Sequence, residues 1–181
     1  SNQAGTVQIG VPTTAVLPAL WSGTPSSWIS LAPQPGTNGQ VFGASEGSQV
    51  GNSVLGHATL WHGSPESAVD LHPVGLPFGS VAYGVSGDQQ VGLYAGTSSH
   101  ALLWRGSAAS VVDLHPIGAV NSHAYATDGT LQGGGADFGP NISWHALIWN
   151  GSAQNYIDLN PGPGQHSTIF AMAPGQQVGQ A

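Results

Sequence analysis

Ser80-Val-Ala-Tyr-Gly-Val-Ser-Gly-Asp-Gln-Gln-Val-Gly-Leu-Tyr-Ala95, continued by Gly96-Thr-Ser-Ser-His-Ala-Leu-Leu-Trp-Arg-Gly106, is the stretch that decides the fold. Residues 80–86 alternate into a Gly87-Asp88 turn, residues 89–95 run back, and a loop at 96–99 leads to residues 100–105. After the Gly106 turn, residues 110–115 form one more run that ends at Pro116. Every apolar run is only about 4–8 residues long, rich in β-branched or aromatic side chains, and closed by glycine or proline before a helix accumulates enough turns. The stretch predicts strands, joined antiparallel.

The same pattern recurs along the chain. Tryptophan is followed two residues later by glycine and ten later by leucine at Trp21/Gly23/Leu31, Trp61/Gly63/Leu71, Trp104/Gly106/Leu114 and Trp149/Gly151/Leu159. A Gln-x-Gly marker keeps phase with it at Gln8/Gly10, Gln49/Gly51, Gln90/Gly92, Gln132/Gly134 and Gln177/Gly179. An aromatic precedes the marker glycine by nine residues at Phe42, Tyr83, Tyr125 and Phe170. Tryptophan spacings of 40, 43 and 45 lie in the range of about 20–50 residues that signals a solenoid, a propeller or an array. The expected fold is all-β, a β-propeller of four-stranded antiparallel blades, with four sequence repeats plus one surplus strand. The units run approximately over 1–35, 40–75, 80–118, 123–162 and 168–181, the terminal ones partial, in a single domain. Residues 168–173 are expected to supply the first strand of the blade begun by residues 6–31, and Gln176-Gln-Val-Gly179 then repeats a second strand already present. A four-bladed ring with a redundant terminus, a ring of about eight blades from two chains, and a segment of a longer array all satisfy that count.

Composition narrows the function classes. Arg105 is the sole Lys or Arg against eight Asp and Glu, so the formal net charge is −7 and the chain repels phosphate. Nucleic acid is excluded as a natural partner. Glycine (28 residues) and proline (13) are abundant and charge is scarce, yet 40% hydrophobic residues in periodic positions supply a core. With no cysteine, disulfides and thiolate metal sites are excluded. No apolar run approaches a membrane span, and no secretory leader pattern opens the sequence, which therefore reads as a soluble segment, already processed or truncated.

His57 to Gly63, His100 to Gly106 and His145 to Gly151 share His-Ala-x-Leu/Ile-Trp-x-Gly, and Asp70 to Pro73, Asp113 to Pro116 and Asp158 to Pro161 share Asp-Leu-x-Pro. Together with the aromatic and Gln-Val-Gly markers, this pattern resembles the bacterial extracellular HAF repeat over nearly the whole chain. The resemblance implies a propeller similar in strand order to WD-repeat proteins, and an extracellular or cell-surface location. The Trp-Asp pair itself is missing, with Ser22, His62, Arg105 and Asn150 in the aspartate's place. The first copy departs furthest, carrying Pro18 for the histidine and Ser30-Leu-Ala-Pro33 for Asp-Leu-His-Pro.

Residues that recur in every unit read as structure. Trp21, Trp61, Trp104 and Trp149 are expected between blades with the indole N–H bonded. His57, His100 and His145 are expected to bond loop backbone, and Asp70, Asp113 and Asp158 to cap turn donors; Asp70/His72 and Asp113/His115 share a strand face, as metal ligands would, but His115 becomes Asn160 in the last unit and Ala32 in the first. No metal and no cofactor is expected. Catalysis finds little support: the non-repeating carboxylates are Glu46, Glu66, Asp88, Asp128 and Asp137, of which Glu46, Asp88 and Asp128 fall in tight turns, and no nucleophile elbow, phosphate loop or zinc-protease motif occurs. Aromatics that break the repeat are the candidates for binding: Trp28, Tyr94, Trp144 and Tyr156. The expected function is a non-catalytic secreted or surface module that binds a carbohydrate or protein surface. The alternative is a structural repeat protein that assembles into a homo-oligomer through its terminal strands. Asn141-Ile-Ser143 and Asn150-Gly-Ser152 are glycosylation sequons in a secretory eukaryotic source.

Overall fold

The computed structural model describes residues 3–9, 15–34, 37–139 and 143–181. A three-stranded sheet of β1 (Gln3–Ile9), β2 (Ala15–Trp21) and β3 (Ile29–Ser30) comes first. Three four-stranded antiparallel sheets follow: β4 (Gln40–Ser45), β5 (Ser48–Asn52), β6 (Ala58–Trp61) and β7 (Val69–Asp70); β8 (Ser80–Ser86), β9 (Gln89–Ala95), β10 (Ser99–Trp104) and β11 (Val112–Asp113); β12 (Asn121–Thr127), β13 (Gln132–Asp137), β14 (Trp144–Ser152) and β15 (Asn155–Asp158). A hairpin of β16 (Thr168–Ala173) and β17 (Gln176–Gln180) ends the series. The expected all-β architecture of repeated antiparallel sheets is present, and the strand order within each sheet is the order in sequence.

The sheets pack side by side through their first strands, with β4, β8, β12 and β16 neighbours in turn and β1 against β4. Tryptophan builds the core between consecutive sheets. Trp61 packs with Leu20 and Leu31 of the preceding unit, Trp104 with Val50, Leu60 and Leu71, and Trp149 with Val91, Leu103 and Leu114. These indoles are 1%, 0% and 0% exposed, whereas Trp21 is half-buried. One expectation fails here: among the described residues the indole N–H groups of Trp61, Trp104 and Trp149 have no hydrogen-bond acceptor. The ring's buried area is then the stabilising quantity and the unpaired N–H a cost.

The two sequence markers turn out to be one device. Gln49, Gln90 and Gln132 are the cross-strand partners of Trp61, Trp104 and Trp149. Each buried glutamine oxygen accepts from the glycine two residues beyond its tryptophan: Gly63 N at 2.9 Å, Gly106 N at 2.7 Å and Gly151 N at 2.9 Å. Each amide nitrogen donates to the preceding hairpin, at Gly47 O, Asp88 O or Thr130 O. The glutamine thus ties the turn between the first two strands to the turn after the third. Those turn glycines have φ of +80°, +76° and +73°, where a side chain is strained. The marker glycines Gly51, Gly92, Gly134 and Gly179 serve differently: a Cβ at each would collide with the carbonyl oxygen of Gln40, Val81, His123 or Thr168 on the adjacent first strand.

Three departures from the sequence reading follow from register and turns. In the first unit Gln3, not Gln8, pairs with Trp21, and Gly5 faces Ala19, so Gln3-Ala-Gly5 occupies the marker's place. β1 and β2 are seven residues each, longer than β5 (five) and β6 (four), so Gln3 lies farther from Trp21 than Gln49 does from Trp61, and that hid it. The fourth strand is only two residues long in the second and third units, because a 3-10 turn (Pro65–Ser67, Ala108–Ser110) takes up the preceding chain. Ser67 Oγ and Ser110 Oγ hold those turns by accepting from His62 N and Arg105 N and donating to Ser64 O and Ser107 O. Finally, among the described residues β16 pairs with β17 and β1 with β2 alone, so residues 168–173 do not complete the sheet begun by residues 6–31 there.

Candidate functional site

The repeated histidines and aspartates form a clasp between units. His57, His100 and His145 place Nδ1 against Asp70, Asp113 and Asp158 Oδ2 at 2.8, 2.8 and 2.7 Å. The other carboxylate oxygen accepts the backbone N–H two residues on, from His72, His115 or Asn160, each at 2.8 Å. The turn-capping role expected of the aspartate is what the geometry provides, whereas the histidine bonds carboxylate and not loop backbone. His72 stacks on His57 at 4.0 Å and His115 on His100 at 3.9 Å. Each second ring bridges the next unit: His72 to Ser80 Oγ at 2.9 Å and Leu76 O at 3.1 Å, His115 to Ser122 Oγ at 2.8 Å and Ala119 O at 3.1 Å. In the last clasp Asn160 Oδ1 accepts from Ser167 Oγ and its Nδ2 donates to Gly162 O. A carbonyl can only accept, so Nε2 of His72 and of His115 donates to Leu76 O and Ala119 O, as the Asn160 amide nitrogen donates to Gly162 O. Burial, then the charge of the stacked His100, lowers the His115 pKa from its ordinary value. Among the described residues no group of His, Asp or Glu has metal-site geometry.

The four expected binding aromatics do not converge. Trp28, half-buried, follows the Pro25–Ser27 turn in the first unit. Tyr94 packs near Phe78 on β9, and Tyr156 near Phe138 on β15, each against a hydrophobic cluster, which accounts for them as cover for a sheet. Trp144 is different. It stands at the start of β14 beside His123, with ring centroids 4.8 Å apart, and helps line an open cleft of about 330 Å³ with Tyr125, His166, Thr168, Phe170 and Gln180.

Around Trp144 several side chains depart from the repeat together. His123 stands where the other first strands carry Gln40, Val81 and Thr168, and Trp144, just before the clasp histidine, stands where the other units carry Gly56 and Ser99. Gly135 replaces Asn52 and Leu93, and a Cβ there would press to 3.2 Å on the Trp144 ring and 3.1 Å on His145 O. Gly135 therefore makes the space that Trp144 fills. His123 Nδ1 lies 2.8 Å from the Tyr125 hydroxyl and Nε2 lies 2.7 Å from Ser99 Oγ, which donates onward to Asn121 Oδ1 at 3.1 Å. In that direction of bonding His123 donates through Nε2, and Tyr125 gives its proton to Nδ1. Burial lowers the His123 pKa, in keeping with a neutral ring.

The cleft is one end of a longer aromatic row that the sequence reading treated only as a phase marker. Phe42, Tyr83, Tyr125 and Phe170 sit on β4, β8, β12 and β16, with successive ring centroids 5.3, 5.4 and 5.8 Å apart. The end members Phe42 and Phe170 are 46% and 51% exposed. Burial raises the pKa of Tyr83, and burial with the neighbouring Tyr83 raises that of Tyr125. The signal was the period itself: an aromatic at one place on every first strand becomes a continuous surface once those strands are neighbours.

The non-repeating carboxylates are dispersed. Glu46 and Asp128 lie in hairpin turns and Glu66 in a 3-10 turn; Asp88 pairs with Arg105 Nη1 at 2.8 Å; Asp137 is buried. Asn141 of the first sequon lies outside the described residues, and Asn150 of the second is exposed. Compared with known proteins, the chain matches no family profile, no curated protein and no solved structure.

Proposed function

We propose that this chain is a non-catalytic binding module of a secreted or surface β-propeller of the HAF-repeat type, and that it holds a glycan or protein ligand against its aromatic row. The observation that carries the reading is the joint departure of His123, Gly135 and Trp144 from the repeat to build a cleft beside Tyr125 and Phe170. Residues that only maintain a repeat have no reason to differ in concert at one unit, whereas a ligand site needs concave aromatic surface with a few polar groups. The test is a glycan array run beside an extended-peptide library, with Trp144→Ala as control. Ligand capture that disappears in the variant, at unchanged melting temperature, supports the reading; equal capture by both proteins, or none by either, removes it.

A second reading, self-assembly through strand edges, rests on Val178. It is 62% exposed, while Val50 and Val91 at the same place in other units are fully buried. Light scattering separates the two readings, since assembly requires a mass that grows with concentration.

A further inference from the structure

We infer that the ligand of the Trp144 cleft is an uncharged glycan; the inference rests on the binding reading above and narrows it to one chemical class. The cleft wall consists of Tyr125, Trp144, His166, Thr168, Phe170 and Gln180, with no Lys, Arg, Asp or Glu among them. The one guanidinium of the chain, Arg105, is held by both oxygens of Asp88 at 3.0 and 2.8 Å, in a hairpin turn of the preceding unit. No Lys or Arg is therefore placed to neutralise a carboxylate or sulfate, and the one histidine of the wall, His166, has Nδ1 turned to the Trp144 backbone N–H. The charge nearest Trp144 in register is of the same sign as such a ligand: Asp137 is the cross-strand partner of both Asn121 and Trp144 and lies on their face of the sheet. A net charge of −7 adds a long-range repulsion for polyanions.

What the cleft offers matches a sugar with free hydroxyls. Trp144 and the exposed Phe170 present flat apolar faces to the C–H side of a pyranose. With Ser99 Oγ donating to Asn121 Oδ1 and accepting from His123 Nε2, Tyr125 donates to His123 Nδ1, and its phenolic oxygen turns lone pairs outward to accept from a hydroxyl. A carboxylate or sulfate oxygen meeting that lone pair is repelled. Exposed Gln180 supplies both a donor and an acceptor. An extended peptide would gain from an open strand edge; β14 is paired on both sides, by β13 and β15, so at the Trp144 wall main-chain augmentation is closed, and the peptide probe below tests the remaining edge, that of the β16–β17 hairpin.

The experiment measures binding at pH 7.5 by calorimetry and by ligand-observed NMR. The probes are neutral linear oligosaccharides (β-glucan, xylan and mannan fragments), acidic ones (oligogalacturonate, a heparin fragment) and a neutral extended peptide. A neutral oligosaccharide is expected to bind, with affinity falling at least about tenfold in Phe170→Ser and in Trp144→Ala. Phe170 is half-exposed, so its variant keeps the fold even if Trp144→Ala does not. An acidic oligosaccharide binding as tightly, with the same dependence on Phe170, overturns the uncharged class and leaves the binding reading intact. Peptide binding with no sugar binding overturns the glycan and leaves a protein-binding module. Failure of every probe overturns this inference, and with it the binding reading.

Discussion

The three four-stranded repeats are each held by three roles: an indole that supplies area, a glutamine that joins two turns, and glycines that permit a positive φ or a close strand. A buried Trp104 contributes more than the unpartnered N–H costs, so Trp104→Ala should lose roughly 3–5 kcal/mol, enough to unfold a domain of ordinary stability. A melting temperature within a degree or two of the parent would contradict the packing seen around Val50, Leu60 and Leu71. Gly92→Ala should cost as much by a different route, because the new methyl meets the Val81 carbonyl on a paired strand that has nowhere to move. Urea midpoints of the two variants read these separately from any loss of ligand. At this scale the sequence was legible where a residue type is nearly irreplaceable: tryptophan and glycine announced themselves by spacing. Gln3 did not, since the longer strands of its hairpin set it farther from Trp21 than Gln49 is from Trp61 or Gln90 from Trp104, and spacing alone pointed to Gln8.

The elements are joined by the clasp that runs from aspartate and stacked histidines to the serine of the next first strand. Ser80 Oγ, Ser122 Oγ and Ser167 Oγ each accept the backbone N–H of the residue after the clasp histidine, Ala58, Ala101 and Ala146, at 2.9 Å, so the clasp also satisfies main chain. His115 and His123 have native pKa values below the ordinary 6.5. As the pH falls through 6.5 the unfolded chain takes up protons that the folded chain refuses, so these two groups remove stability from there down to their lowered values and leave it unaffected above. The melting temperature should therefore decline between pH 7 and pH 5. His115→Asn, which copies the natural Asn160 clasp, should flatten that decline while leaving stability at pH 7.5 nearly unchanged; an unaltered slope would show that acid acts elsewhere. Chelation with EDTA should shift neither the melting temperature nor ligand binding, and zinc or calcium retained at stoichiometry would contradict this. Strand existence and hairpin turns were legible here from short apolar runs and Gly-bounded turns. The two-residue fourth strands were not, because a serine-locked 3-10 turn and an alternating strand start share one composition.

Across the whole molecule, repetition made the row of sheets legible but not its closure, which depends on pairings between residues far apart in sequence. The binding candidates show the same limit: departure from the repeat drew attention to Trp144, Tyr94 and Tyr156 alike, and only packing separates the first, which lines a cleft, from the other two, which cover sheets, just as only adjacency turns Phe42, Tyr83, Tyr125 and Phe170 into a surface. The β16–β17 hairpin joins these matters, since it covers Ala146 and Ile148 with Ile169 and Met172 while also lending Phe170 to the cleft. Removing residues 164–181 should expose that apolar patch, lower the melting temperature, promote aggregation and abolish ligand binding. Removing only residues 175–181 takes away β17, most of whose residues are exposed, and should cost less stability. If the units stand as a row of packed sheets, this shorter truncation leaves the mass in solution unchanged; if chains associate through the β17 edge, it releases smaller species. Light scattering on the full chain and both truncations, at several concentrations, decides between those outcomes, and a mass that stays constant through both deletions would remove strand-mediated assembly as a role for this protein.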